Sequence, residues 1–405
     1  MAEIIDRQLE IRFPNGDRET ITSNNIAAES MTITHSICDG NLKLGGCIAS
    51  SFELQLIDIP PDTVQSKKIQ AVIITKTSTD EVIYPTYELV PDVKLYPGQH
   101  TTTSSEQIMF TGTIDVAKRQ KNRRLVNITA YDDLYKVCCK NVYTWFLRFA
   151  EYSSTSYIST MINSLFSSQI GYDETNAPNR MRWLVRWGVS GENNNYTKPL
   201  ALSKNLVEQL YKGKLTASEI LKSANELMGL FGYIMPDGRY NTFTLVGQEA
   251  ITIDKWIDLE FEEYRTAQVD NVTFLYNDSN RYTLARASTT NNCYYSDDNV
   301  LTMCSTDREA VATLIKNVTN AGKLAQASYY SYRPFKLTTI AELLPNGAGL
   351  GSKLKIVTGE EDIPYIESFV FQEKITGIQS LKYELSAEGD EILSGYDEVE
   401  SREEI

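Results

Sequence analysis

Strict alternation of apolar and polar residues marks both ends of the chain. Residues 52–57 alternate and are followed by a Pro-Pro pair, which cannot continue a strand ladder. Residues 108–117 and 125–131 flank a short polar turn and therefore predict a β-hairpin. Residues 353–387 are strand-rich as well. The pattern predicts β structure in the first third of the chain and again near its C-terminus.

Helical spacing separates these two β-rich regions. Residues 134–150 and 157–166 carry apolar side chains at three- and four-residue intervals, which predicts two helices. A capping box in residues 306–309 predicts a helix to about residue 327. Residues 84–105 hold prolines and a Thr/Ser run, and residues 171–195 are rich in Asn. Both of these stretches predict loops.

The strongest helix signal begins at Thr216. Thr216 and Glu219 form a capping box, in which the hydroxyl caps the Glu219 amide and the carboxylate reaches back. An apolar stripe follows, and Gly232 is the predicted C-cap. Residues 236–238 then predict a tight turn, and residues 240–246 alternate. The unit reads as helix, strand, turn and strand.

Composition narrows the classes of function. The chain has 405 residues, enough for two or three domains, and a net charge of −14 from 39 basic and 53 acidic residues. That charge disfavours proteins that bind nucleic acid by neutralising phosphates. No apolar run approaches the ~18 residues of a membrane span, and no secretion signal of the usual kind is seen. The six cysteines form no C-x-x-C pair, which favours reduced, buried thiols and folding in a cytoplasm.

No catalytic, cofactor-binding or metal-binding residue is predicted. The only histidines, His35 and His100, lie far apart and have no cysteine or carboxylate at ligand spacing. Residues 347–351 are glycine-rich but lack the Lys-Ser/Thr of a phosphate-binding loop, so they predict an ordinary loop. Paired carboxylates are frequent, and nothing singles out one pair.

One basic cluster is a candidate interface. Residues 118–124 hold five cations at the tip of the predicted hairpin. The simple interpretation is a solvated turn, and the sharper one is a contact with an acidic ring on a neighbouring subunit. The candidate interface residues in this cluster are Arg119, Lys121, Arg123 and Arg124.

A weak internal repeat supplies four further candidates. Thr111-Gly112 begins one hairpin and Thr376-Gly377 begins another, and each follows a strand region that opens with Ser-Lys. Chance recurrence and duplication of a small β domain both explain the repeat. Under duplication, glycine at this position permits a bulge or a close backbone approach.

Four stretches taken in order resemble the hub proteins of phage tails and related contractile particles. They are residues 110–132, 216–246, 262–276 and 352–389. The resemblance implies two tail-tube-like β domains in one chain. Three chains would then present six similar domains as a ring, which docks on a hexameric tube and offers threefold symmetry to a spike.

The fold class that follows is α+β, mainly β, with two tail-tube-like β-barrel or sandwich domains and inserted helices. The predicted boundaries are 1–135 for the first tube-like domain, 136–205 for a helical and loop connector, 206–276 for the first part of the second tube-like domain, 277–335 for an insertion with a helix, 336–389 for the closing strands of the second domain, and 390–405 for an acidic tail.

The expected function is a non-enzymatic baseplate hub that lines the channel as a homotrimer. Its expected partners are the tail tube protein, the spike and other baseplate subunits, with no cofactor, no specific nucleic-acid binding and no stable membrane insertion. Assembly in the bacterial cytoplasm into a virion tail or tail-like particle is implied. The alternatives are a tail-tip adhesin or carbohydrate-binding protein, for which Trp183 and Trp187 could form a platform, and a cell-wall-degrading tail enzyme.

Overall fold

The computed structural model divides the chain into two compact units. Unit 1 comprises Met1–Thr32, Phe52–Ala130 and Thr376–Leu381, and unit 2 comprises Ile33–Ser51, Tyr131–Ile375 and Lys382–Ile405. The structure describes residues 3–16, 18–40, 42–81, 99–121, 124–152, 155–156, 158–166, 168, 200–243, 245, 248–266, 271–277, 280–285, 293–312 and 332–390.

Six strands come first, and helices follow them. The strands are β1 (Glu3–Arg12), β2 (Thr32–Ser36), β3 (Ser51–Ile57), β4 (Lys68–Glu81), β5 (Gln99–Arg119) and β6 (Leu125–Tyr131). The next elements are α1 (Asp133–Cys139), α2 (Tyr143–Tyr152), β7 (Thr155–Ser156), α3 (Ile158–Leu165), β8 (Leu200–Ala201), α4 (Lys204–Tyr211) and α5 (Ala217–Met228).

The rest of the chain is again rich in strands. Its elements are β9 (Phe231–Ile234), β10 (Tyr240–Phe243), β11 (Ile251–Ile253), β12 (Asp258–Phe261), β13 (Asn271–Tyr276), β14 (Asn280–Ala285), β15 (Cys293–Ser296), α6 (Val300–Met303), β16 (Phe335–Ile340), β17 (Lys353–Val357), β18 (Tyr365–Phe369), β19 (Gln372–Thr376) and β20 (Lys382–Ala387).

Unit 1 is built on a run of five strands in the order β1-β4-β5-β6-β3. Buried and accessible positions alternate along β3 and β6, as the sequence predicts. Phe52 of β3 and Phe110 of β5 are fully buried and stack with ring centroids 5.2 Å apart. Leu9 and Ile11 of β1 are also fully buried. The apolar face of this sheet is therefore the core of the unit.

The predicted loop at residues 84–105 is wrong in part. Residues 99–105 belong to β5, which pairs with β4 in antiparallel register, and residues 84–98 lie outside the described residues. Threonines face each other across the ladder, and the hydroxyls of Thr77 and Thr103 are 2.8 Å apart. Threonine is β-branched and suits a strand, so a polar Thr/Ser run does not require a loop.

Unit 2 contains a second run of five strands, β2-β19-β20-β16-β12. Smaller sheets have the orders β10-β9, β11-β17-β18, β14-β13-β15 and β7-β8. Most of the pairs are antiparallel, while β11 with β17 and β13 with β15 are parallel. The helices contribute to an extended buried apolar cluster, in which Phe146, Ile162 and Leu221 have no exposed surface.

The helix predicted over residues 134–150 is two helices. Asp132 caps α1 by accepting a hydrogen bond from the Leu134 amide, and α1 ends at Cys139. The Asn141 side chain then accepts from the Tyr143 amide at 3.0 Å. This short polar residue satisfies a free amide at the start of α2, so the chain restarts a helix rather than continuing one.

The capping box of α5 is confirmed, but its predicted C-cap is wrong. Thr216 and Glu219 make both reciprocal hydrogen bonds. The helix ends at Gly229, which has φ +64°, and Gly232 lies inside β9. A Cβ on Gly232 would lie 2.0 Å from the Tyr240 hydroxyl. Glycine is therefore needed there for close packing of the β9–β10 hairpin, whose predicted turn and strands are present.

At the second predicted capping box the N-cap is Asp307, one residue later than predicted. The Asp307 carboxylate, rather than the Thr306 hydroxyl, accepts from the amides of Glu309 and Ala310, each at 3.0 Å. A carboxylate satisfies two amides at once and is favoured at the positive end of a helix. The remainder of this predicted helix, from residue 313, lies outside the described residues.

The mainly β class with inserted helices is confirmed. Within the described ranges the strand orders are those of open sheets, and none closes into a barrel. No described helix is long and apolar enough to cross a membrane. Cys38, Cys47 and Cys304 are buried free thiols, while Cys139 is exposed, so the expected burial of the cysteines holds for three of these four.

Candidate functional site

The predicted basic turn lies at the end of the β5–β6 hairpin. Its backbone is closed by the Gln120 amide, which donates to the Leu125 carbonyl at 2.9 Å. Arg119 and Lys121 are exposed, and Arg123 lies outside the described residues. The turn therefore presents cations to solvent on unit 1.

Arg124 forms an ion pair with a carboxylate of the strand region before it. Its guanidinium contacts Asp58 at 2.7 and 3.2 Å, and the Asp58 amide donates to the Arg124 carbonyl at 2.8 Å. The hydrogen bond from Arg124 lowers the pKa of the Asp58 carboxyl. This pair neutralises part of the basic cluster, and Arg119, Lys121 and Arg124 are all exposed.

Thr111 and Gly112 lie within β5 and are buried. They pair with Gln70 and Ile69 of β4. The register skips Met109 between the pairs Ala71–Phe110 and Val72–Ile108, so the bulge lies in β5 at Met109 and not at Gly112. In the folded chain these two candidates belong to the sheet of unit 1, and their interface role stays a prediction.

Thr376 and Gly377 have a different local structure. Thr376 ends β19, and Gly377 opens the turn to β20 with φ +88°. A Cβ on Gly377 would lie 2.4 Å from the Ser380 carbonyl oxygen. The Gly377 amide donates to the Met31 carbonyl at 3.0 Å. The glycine is thus required by a tight turn, whereas Gly112 lies in mid-strand.

Polar residues from the start of the chain hold this turn. The Glu29 carboxylate accepts from the amides of Ile378 and Gln379, each at 2.9 Å. The Gln379 amide group donates to the Arg7 carbonyl at 2.6 Å and to Asp6 at 3.0 Å. Sequence analysis did not single out these residues, because their partners lie more than 340 positions away along the chain.

A second polar cluster, also missed, lies in unit 2. His35 Nδ1 is 2.8 Å from the Ser50 hydroxyl, and Asp132 accepts from the Ser50 amide at 2.9 Å. His35, Ser50 and Asp132 are 5%, 2% and 2% exposed. Burial lowers the pKa of His35 to about 4 and raises that of Asp132 to about 7.

This cluster does not form a catalytic triad. In a triad the histidine lies between the serine and the carboxylate, and here Ser50 lies between the other two. No member reaches solvent to meet a substrate, and a histidine with so low a pKa is a weak base. Among the described residues no group of three or more His, Cys, Asp or Glu side chains is placed to hold a metal.

A cavity of about 310 Å³ lies in unit 2. Its walls include the hydroxyls of Thr34, Ser36 and Ser51 and the buried ring of Phe371. Most of the lining is polar, and burial raises the pKa of the Cys38 thiol in it to about 12, which makes this thiol a poor nucleophile. The proposed aromatic platform for glycans, Trp183 with Trp187, lies outside the described residues.

Comparisons with known proteins bear on the whole fold. No protein-family model matches the chain, and no curated protein does. The tail protein from Neisseria meningitidis MC58 is similar at 13% identity with a TM-score of 0.50, over 94% of this chain and 97% of its own. The 43 kDa tail protein of prophage MuSo2 from Shewanella oneidensis gives 10% identity and a TM-score of 0.47, over 94% and 97% of the two chains. The prophage tail protein gp18 from Listeria monocytogenes EGD-e gives 7% identity and a TM-score of 0.45, over 94% of each chain.

The chain therefore shares the fold of a tail protein over nearly its whole length. At 13% identity the similarity is one of fold alone. The expected likeness to tail proteins is confirmed at this level. The narrower expectation of a baseplate hub is taken up below as a proposal.

Proposed function

We propose that the chain is a structural, non-enzymatic baseplate hub of a phage tail or tail-like contractile particle. It acts as a homotrimer that joins a hexameric tail tube to a threefold spike and lines the channel. The observation that carries the proposal is the fold, which matches that of a tail protein over 94% of the chain. Because fold and function are separable, the remaining support comes from features of this chain.

The two runs of five strands support the symmetry argument. One run lies in unit 1 and the other in unit 2, and in both the hairpin marked by the weak repeat lies inside the run rather than at its edge. Three chains would supply six such runs. A ring of three identical chains can then meet a sixfold tube on one side and a threefold spike on the other.

The charge supports a channel that does not retain DNA. The net charge of −14 repels phosphates, so nucleic acid passing through the ring would not be held. The tube, the spike and other baseplate subunits are the proposed partners. Assembly in the bacterial cytoplasm is part of the same proposal.

Deleting and restoring the coding sequence in the host that produces the particle tests this function. Without the protein, we expect no complete tails by electron microscopy. After complementation we expect the protein at the tube tip, at three copies per particle by quantitative mass spectrometry. Normal tails without the protein, or a copy number that is not three, would refute the hub. Turnover of purified peptidoglycan by the protein would refute the non-enzymatic part.

A further inference from the structure

Unit 2 carries an exposed apolar surface at one end of the β17–β18 hairpin. Ile257, Val357 and Tyr365 are 56%, 36% and 49% exposed. Val357 and Tyr365 are paired across the strands, and the half-buried Trp256 donates its indole N–H to the Val357 carbonyl at 2.9 Å. Trp256, Val357 and Tyr365, with Ile257 as the chain neighbour of Trp256, define the apolar end surface. Large apolar side chains that lie together in solvent mark interaction sites.

Exposed acidic residues flank the residues of the apolar end surface in the chain, and together they are called the acidic rim. They are Asp254, Asp258, Glu360, Glu361 and Asp362. Lys355 lies over the Tyr365 ring at 4.1 Å from its centroid, and Lys255 is exposed beside Trp256. The rim therefore keeps an excess of negative charge, and a partner must bring apolar contact together with positive charge.

The β5–β6 turn of unit 1 offers this combination. Val116 is 43% exposed near the end of β5, and the exposed Lys118, Arg119 and Lys121 follow it. Residues 118–124 are also the densest run of basic residues in a chain whose net charge is −14. A second copy of this chain thus has one segment of matching chemistry.

We infer that the apolar end surface and its acidic rim receive the basic β5–β6 turn of a second copy of this chain. The contact joins two different surfaces, so each copy uses both, and a head-to-tail contact of this kind builds a closed ring when the rotation between copies closes. The inference rests on the proposed function for the number of copies in that ring. Opposite charges on the two surfaces set the register and speed the encounter, while the apolar side chains lose their contact with water.

Charge reversal tests the contact from both sides. The turn variant is K118E/K121E, the rim variant is E360K/E361K, and the combined variant carries all four changes. Each single-surface variant places like charges against each other, so its self-association constant should fall at least about tenfold at about 50 mM salt. The combined variant restores opposite charges and should regain the wild-type mass in light scattering over a concentration series.

Matched controls keep the net charge the same. K212E/K214E has the charge change of the turn variant, and E262K/E263K has that of the rim variant, all at exposed positions that belong to neither surface as defined. The controls should associate as the wild type does. Circular dichroism and a thermal midpoint near that of the wild type show that each variant is folded.

Several outcomes would overturn the inference. A trimer whose mass neither single-surface variant alters refutes this contact and leaves the hub standing. The inference is also refuted if the single-surface variants lose self-association and the combined variant does not recover it. A wild type that is monomeric at every concentration refutes it as well. Loss of binding to another particle subunit, with self-association intact, assigns the surface to that subunit instead. The copy number in particles decides the hub function independently.

Discussion

The buried cluster of His35, Ser50 and Asp132 predicts an unusual cancellation in the pH dependence of stability. Burial raises the pKa of Asp132 to about 7 and lowers that of His35 to about 4. Between about pH 4 and pH 6.5 the folded protein therefore holds a proton on the aspartate, whereas the unfolded chain holds it on the histidine. The folded and unfolded states bind the same number of protons at this cluster. The cluster therefore changes the unfolding free energy very little as the pH varies across this range.

Each group alone has a large effect of opposite sign. A raised carboxyl pKa stabilises the folded state at low pH, and that stability is lost as the pH rises from about 4 toward 7. A lowered histidine pKa does the reverse, since stability is lost as the pH falls from about 6.5 to 4. Over 2.5 pH units, at 1.36 kcal/mol per unit, each contribution is about 3 kcal/mol.

The perturbation is Asp132→Asn, compared with His35→Gln and the double variant. The Asn side chain still caps α1, because its oxygen can accept from the Leu134 amide. Its NH₂ group cannot accept the hydrogen bond from the Ser50 amide, which lowers the unfolding free energy at every pH. Relative to the wild type, Asp132→Asn should gain about 3 kcal/mol of unfolding free energy between pH 4 and pH 6.5, and His35→Gln should lose about as much.

Urea denaturation followed by tryptophan fluorescence at several pH values measures these differences. The double variant should show the slope of the wild type, because both contributions are absent. If the single variants have parallel stability curves across this range, the two groups do not exchange a proton on unfolding. The assignment of the buried charges would then be wrong.

Three further predictions concern local structure. Thr216→Ala removes the capping hydroxyl of α5 and should lower the unfolding free energy by about 1 kcal/mol, while Thr216→Ser should retain it. Gly377→Ala forces φ +88° on alanine in a crowded turn and should cost more than about 1 kcal/mol in urea denaturation. Gly213→Ala, at φ +90° with open space around it, should lower the unfolding free energy by less. An equal loss in the two variants would show that crowding at Gly377 does not contribute. In a thiol-reagent titration, Cys139 should react at once and Cys38 only on unfolding, because burial raises the pKa of Cys38 to about 12.

Local signals allowed much of the fold to be predicted from the sequence. The β5–β6 hairpin and the capping box at Thr216 depend on residues close together in the chain, and both are present. The C-cap of α5 needed more information, because Gly229 and Gly232 are equally good on pattern. The left-handed backbone of Gly229 and the packing of Gly232 against Tyr240 show which glycine ends the helix and which lies in a strand.

The rest depends on contacts between distant parts of the chain. The Thr/Ser run around Thr103 is a strand because β4 pairs with it, and its polarity alone suggested a loop. The cluster of His35 and Asp132 joins residues that lie far apart in the chain, so the sequence named His35 without showing its partners. The sequence marked Gly377 as part of a weak repeat. It did not predict that Asp6 and Glu29 would form hydrogen bonds with the turn that Gly377 opens.

The late turn of unit 1 affects how the protein is made. Residues 1–32 and 52–130 are complete long before Thr376–Leu381, which supply the partners of Glu29 and Arg7. At roughly 5–20 residues per second, a ribosome takes on the order of 10–50 s to cover that interval. Throughout this time the N-terminal sheet of the nascent chain lacks the hydrogen bonds that the turn at residues 376–381 supplies. We expect the sheet to mature only when nearly the whole chain has been translated, so that prematurely terminated chains do not compete for places in an assembly.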